Sequence, residues 1–238
     1  MPALFFWYPS TKNLTAFLFL VITHRDTISC LALPNFDDFG AGQVLFMRIV
    51  TFDIETYGEF GSGAKAFDNM ELTICCIHDS ATDSYSSYLK EDLPKLWKIL
   101  ENTDALVGFN SDHFDIPILN KYYPGDLTKI RSIDLLKEIS DVLGRRVRLD
   151  AVAEGTLGKK KSGHGLQAMQ WWKEGNIEAL RKYCLKDVEV TKGIFDHALK
   201  NGSLIFKELG IKKEVKLDTS KWLAAPSEAP SLTKTLGF

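Results

Sequence analysis

The segment Met47–Thr56 reads MRIVTFDIET, a β-rich apolar run, Arg48–Ile54, that closes on two carboxylates, Asp53 and Glu55. Side chains two apart on a strand share a face, so Asp53 and Glu55 project together while Phe52 and Ile54 turn toward a core. Adjacent carboxylates repel unless a cation neutralises them, and hard oxygen donors of this kind suit Mg²⁺ or Mn²⁺. A D-x-E pair alone is common on solvated surfaces; this one ends a strongly apolar strand.

Downstream, Leu72–His78 and Ser84–Leu89 read as two more strands, separated from the first by a Gly-rich turn, Gly58–Gly63. Glu91–Leu100 has helical spacing at Leu93, Leu96, Trp97 and Leu100. Ala105–Phe109 is a short strand ending at Asn110, Phe114–Tyr122 a helix with Pro117 in its first turn, and Ile130–Ile133 a fifth strand. Helices are expected over Leu135–Leu143, Leu149–Leu157, Gly165–Lys173 and Asn176–Leu199, the last capped by Asn176. Leu204–Phe206 and Val215–Leu217 make a hairpin around Gly210, and a Pro/Ser/Ala-rich tail follows from Ala224. Strands first and helices after argue for one α/β or α+β layered domain over residues 47–200, with the hairpin and tail at 201–238.

Residues 1–46 stand apart. Their one apolar run, Leu14–Ile22, is shorter than the roughly 20 residues a membrane span needs. It has the length of a secretory core, but only Lys12 precedes it and no small-residue cleavage site follows. The segment reads as an extension outside the fold, and no membrane association is expected. Cys30, Cys75, Cys76 and Cys184 form no C-x-x-C pair or Cys/His cluster, which supports neither a zinc site nor a disulfide framework and fits a cytoplasmic protein. The net charge of −2 is neutral on nucleic acid, since an acidic metal site can lie beside a local basic rim.

Two further motifs carry chemistry. Val107-Gly108-Phe109-Asn110 runs into His113-Phe114-Asp115, placing Asp115 beyond the carboxyl end of a strand, where sites of open α/β sheets form. Alone, Asp115 could equally be a helix first-turn acid. Tyr183-Cys184-Leu185-Lys186-Asp187 sets a phenol and a carboxylate at i and i+4 on one helical face, where Tyr183 can orient or deprotonate a water and Asp187 can ligate metal. Its plain alternative is a packed tyrosine with a solvated aspartate.

FDIET, NSDHFD and YCLKD, in this order, resemble the three motifs of the DEDD exonucleases in their tyrosine-bearing branch (DEDDy). The layout is most similar to the proofreading exonuclease domain of family-B DNA polymerases and its stand-alone bacterial forms, over roughly Met47–Leu199. The resemblance implies a ribonuclease H-like fold with a mixed central sheet flanked by helices. It implies ligation of two Mg²⁺ or Mn²⁺ ions by Asp53, Glu55, Asp115 and Asp187, with Tyr183 placing the water. It implies 3′→5′ hydrolysis of single-stranded DNA or RNA ends to nucleoside 5′-monophosphates, and contacts from Thr56, Asn110 and Phe114 to the terminal nucleotides. What departs is the context: 238 residues leave no room for polymerase palm and thumb domains. A catalytically silent nucleic-acid-binding domain and a structure-specific endonuclease of the same fold are the rival readings.

Arg145, Arg146 and Arg148, with Lys159, Lys160 and Lys161, form the most basic stretch, which either tracks substrate phosphates or is simply solvated. Phe114 either stacks on a base or packs beneath the site. His113 and His164 are assigned no catalytic role, and Trp171 and Trp172 read as core and cap.

Overall fold

A computed structural model of the chain describes residues 47–59, 61–159 and 165–224. The 1–46 extension, Lys160, Lys161, His164 and the tail beyond residue 224 lie outside the described residues.

The opening strand β1 (Ile49–Gly58) pairs antiparallel with β2 (Met70–Asp79), which pairs antiparallel with β3 (Ser84–Leu89). On its other side β1 runs parallel to β4 (Ala105–Gly108), and β4 runs parallel to β5 (Arg131–Asp134). The result is a mixed five-stranded sheet of order β3-β2-β1-β4-β5. A bidentate bridge clamps the start of β1 to the end of β2: Arg48 Nε and Nη2 donate to Asp79 Oδ1 (3.0 Å) and Oδ2 (2.6 Å).

Alternation along β1 sorts the layers. Val50, Phe52 and Ile54 pack with Leu72, Cys75 and Ile77 against α1 (Leu93–Leu100) and α2 (Asp115–Leu119). Each such side chain, fully buried, stabilises by about 1.5–3 kcal/mol. On the opposite face Ile74 and Cys76 meet Ala168 of α5 (Gly165–Lys173) and Leu180, Cys184 and Val188 of α6 (Ile177–Asn201). Further along that face, Ala105, Val107 and Ile133 pack with Leu135 and Ile139 of α3 (Leu135–Leu143) and Ile194 and Ala198 of α6. The odd-numbered residues of β1, among them Asp53 and Glu55, therefore face α6.

The hairpin β6 (Ser203–Glu208) and β7 (Ile211–Lys216) is no appendage, because Leu204, Phe206 and Val215 enter the same core and Trp222 stacks on Phe195 (centroids 5.7 Å apart, planes at 11°). Asn176 caps α6 as expected, its Oδ1 accepting the Ala179 N–H at 3.1 Å.

Two elements differ from their sequence reading. The helix expected over 149–157 is α only at α4 (Leu149–Val152) and becomes a π turn over Ala153–Leu157. There the Thr156 hydroxyl donates to the Ile205 carbonyl (2.7 Å) and accepts its N–H (2.9 Å), so docking on β6 outcompetes the regular helix ladder. The helix expected over Phe114–Tyr122 stops at Leu119, and Lys121 and Tyr122 continue with i−3 bonds. Both side chains are drawn toward the β1–β2 connection: Lys121 Nζ donates to the carbonyls of Phe67, Asp68 and Met70, and the Tyr122 hydroxyl accepts the Leu72 N–H.

Candidate metal centre

Asp53 and Glu55 stand where β1 changes register. Glu55 lies opposite Ile74 and Thr56 opposite Leu72, which leaves Thr73 as an extra residue on β2. The buried Thr73 hydroxyl donates to the Glu55 carbonyl (2.8 Å), stitching the bulge closed. A bulge of this kind bends the strand and re-aims the side chains beside it. Beneath Asp53, the Cys184 thiol lies 3.4 Å from its carbonyl oxygen, tying strand to helix.

α6 supplies the other half. Its buried stripe includes Leu180, Cys184, Val188 and Thr191, at helical i, i+4 and i+3 spacing. Tyr183 and Asp187 each precede a stripe residue by one position, so they sit half-buried at its margin, one turn apart. Tyr183 is braced edge-on by Trp171, with centroids 5.9 Å apart. The sequence reading of Trp171 and Trp172 as packing residues agrees, since both lie against the α5–α6 core.

One carboxylate oxygen each from Asp53, Glu55 and Asp187 fall within 4.8 Å of one another. Three carboxylates at that spacing, among buried neighbours, are electrostatically strained. Burial, then Asp187 and the other carboxylates, pushes Asp53 well above the usual carboxylate range. Burial and Asp187 raise Glu55 to about 8. Burial, followed by Asp187, Glu55 and Asp53, raises the Tyr183 phenol, which keeps it protonated at neutral pH. A divalent cation reverses this logic by favouring the ionised oxygens, so the donor set fits a hard metal ion.

Asp115, the first residue of α2, is buried and stands apart from the three-oxygen cluster. Its Oδ1 accepts the N–H of Ile54, the residue between Asp53 and Glu55, at 3.2 Å. Burial raises it to about 7, partly offset by that hydrogen bond, and its charge bears on both Asp53 and Glu55. The structure thus unites three of the four expected carboxylates and places the fourth against the strand that carries two of them.

The loop leading to Asp115 turns on Asn110, which has a left-handed backbone (φ 71°), a conformation asparagine tolerates better than most residues. Its N–H goes to Asp134 Oδ1 (2.8 Å), and Asp134 Oδ2 accepts from Asp112 N–H (3.1 Å). The same carboxylate caps α3 through Leu136 and Lys137. Asp134 therefore positions the whole loop. Sequence reading missed it, although an aspartate directly before an apolar helical run is a helix-cap signal. Thr73 carried no such signal.

Phe114 is half-buried and packs on the α1–α2 core, with Phe67 edge-on at 5.7 Å and Phe67 in turn 5.9 Å from His113. Thr56 is half-buried just past the bulge. Lys159 is held by Glu189 of α6 at 2.6 Å, and Glu189 is lowered chiefly by that bond.

No helix among the described residues is long and apolar enough to cross a membrane. No curated protein matches the chain. Among solved structures it is similar to the family B DNA polymerase from the hyperthermophilic archaeon Pyrobaculum calidifontis, with 21% identity and a TM-score of 0.52 over 64% of this chain. The match spans only 24% of that polymerase, and at this identity it speaks for the fold alone. The profile of the RNase_H superfamily matches residues 50–199, from the opening strand carrying Asp53 and Glu55 to the helix carrying Tyr183 and Asp187. The mixed sheet with its flanking helices is thus the ribonuclease H-like fold, and the chain belongs to the RNase_H superfamily.

Proposed function

We propose that this chain is a metal-dependent 3′→5′ exonuclease of the tyrosine-bearing DEDD branch, acting on single-stranded DNA or RNA ends. The observation that carries this reading is the convergence of Asp53, Glu55 and Asp187 oxygens within 4.8 Å, with Tyr183 one helical turn before Asp187. Asp53, Glu55 and Asp187 would hold Mg²⁺ or Mn²⁺, with Asp115 completing the acidic set. Two such ions supply a water nucleophile at neutral pH and neutralise the leaving oxygen.

The chain's own residues do the rest. Tyr183, kept as a phenol by its surroundings, positions the attacking water through its hydroxyl rather than removing the proton. Asn110, locked by Asp134, and Phe114, backed by Phe67, hold the terminal nucleotide. Water adds to phosphorus, the bond from phosphorus to the 3′ oxygen breaks, and that oxygen leaves with a proton. The phosphate stays on the 5′ carbon of the released nucleotide.

The test is digestion of labelled oligonucleotides, with free and blocked 3′ ends, in Mg²⁺ and in EDTA. Stepwise shortening only from free 3′ ends is expected. Asp53→Ala and Asp187→Ala should each lose more than about 100-fold in rate, beyond what losing an outer partner of a ligand costs. Internal cuts would indicate an endonuclease, binding without cleavage a silent domain, and full activity in both variants would refute the site.

A further inference from the structure

Between α3 and α4 the chain carries Arg145, Arg146 and Arg148, all exposed, which with β6 line a pocket of 460 Å³. Three of the four cations lining it are already paired. Arg145 bonds Glu208 at 2.7 Å and lies over the Phe206 ring at 5.6 Å, Lys207 bonds Glu154 at 2.7 Å, and Arg148 meets Asp150 at 3.3 Å. Arg146 differs: among the described residues its hydrogen-bond partner is a neutral oxygen, Oδ1 of Asn110 (2.5 Å). Four cations thus face three carboxylates in the lining, one of which, Glu208, is shared with Lys213 (2.6 Å), and Arg146 is the lining cation without a carboxylate partner among the described residues.

A guanidinium has five N–H donors in a planar fork, and one contact to an amide leaves a face suited to two phosphate oxygens. Two links run from the pocket toward the candidate metal centre, the first being the Arg146–Asn110 hydrogen bond. Asn110 begins the loop that ends in Asp115, and Asp150 is near enough for its charge to act on Tyr183. Lys159, by contrast, is committed to Glu189.

We infer that this pocket is a phosphate subsite, in which Arg146 takes a backbone phosphate of the substrate strand upstream of its 3′ end while holding Asn110. The inference rests on the nuclease reading above. It makes the enzyme favour a strand over a mononucleotide, because only a strand can fill the pocket and the carboxylate site together.

Binding in EDTA, where no hydrolysis occurs, isolates the subsite. A fluorescein-labelled 12-nucleotide oligothymidylate is titrated with wild type, Arg146→Ala and Arg146→Lys across a range of salt. Arg146→Ala should weaken binding roughly five- to tenfold and reduce the log–log salt slope by about 0.7, the share of one phosphate on a single strand. Arg146→Lys should keep the slope and only part of the affinity, since a lysine is a point charge without the fork. In Mg²⁺ the KM for the 12-mer should rise more than the KM for the p-nitrophenyl ester of thymidine 5′-monophosphate, which has no upstream phosphate. Unaltered affinity and slope in Arg146→Ala would overturn the subsite, as would equal KM increases for both substrates, which would mean Arg146 acts only through Asn110. Wild type that binds the strand but fails to cut it refutes the nuclease reading instead.

Discussion

Asp53 carries two demands that conflict without a cation. Its strand half-buries it on the face toward α6, yet its proposed role needs an ionised carboxylate beside Glu55 and Asp187. Functional acids of this kind are held at a cost in stability. Asp53→Asn puts a neutral group of the same shape where burial and the neighbouring carboxylates oppose ionisation, so in EDTA at pH 8 it should raise the melting temperature above that of wild type. Thermal unfolding of the variant and wild type in EDTA measures this. A variant less stable than wild type at pH 8 would show that the carboxylates are not mutually repelling. Tyr183 illustrates the same local logic. Its i+4 relation to Asp187 was legible in YCLKD, but the burial that chiefly raises its phenol, and the further push from Glu55 and Asp53 after that of Asp187, come from the folded packing.

At the scale of elements, periodicity served well where one face alone sets the structure. β3, α3 and α5 occupy the spans their patterns predict, and α1 and α6 differ by a residue or two at their ends. It failed where another element captures backbone or side chain. The π turn at Ala153–Leu157 depends on Ile205, and an added Cβ on Gly155 would lie 2.3 Å from the Ile205 carbonyl oxygen. Backbone on both sides cannot yield as a flexible side chain would. Gly155→Ala should therefore destabilise by about 1–3 kcal/mol, the usual range for overpacking, read as a lowered denaturation midpoint. An unchanged midpoint would mean that the turn and β6 are not tightly docked. The bulge at Thr73 belongs to the same class of feature, since a strand pattern in β2 gives no hint of which residue lacks a partner.

For the whole molecule, two groups of carboxylates pull stability in opposite directions with pH. Asp79 is lowered by its hydrogen bonds to Arg48, so its contribution is present above the unfolded value of about 4 and is lost as pH falls through its folded value. Asp53, Glu55 and Asp115 are raised, so the folded state holds extra protons and loses stability as pH climbs from about 4, for Glu55 through about 8. In EDTA the melting temperature should peak in mildly acidic buffer and decline toward pH 8. Adding Mn²⁺ should raise it more at pH 8 than at pH 5, because the cation binds the ionised set. A flat profile in EDTA, or a larger Mn²⁺ effect at pH 5, would contradict this electrostatic account.

The chain by itself determined the apolar alternation of β1, the caps and stripe of α6, and the identity and order of the acidic and tyrosyl groups. These depend on residue type and local spacing, which are written along the sequence. Only the tertiary structure decided that Asp187 closes on Asp53 and Glu55 while Asp115 is held by the Ile54 N–H. It alone made Asp134 the anchor of the Asn110 loop, paired Lys159 with Glu189, and gave Arg146 the Asn110 amide oxygen as its partner. Such features arise between groups distant in sequence, where packing geometry, not periodicity, selects which polar atoms meet.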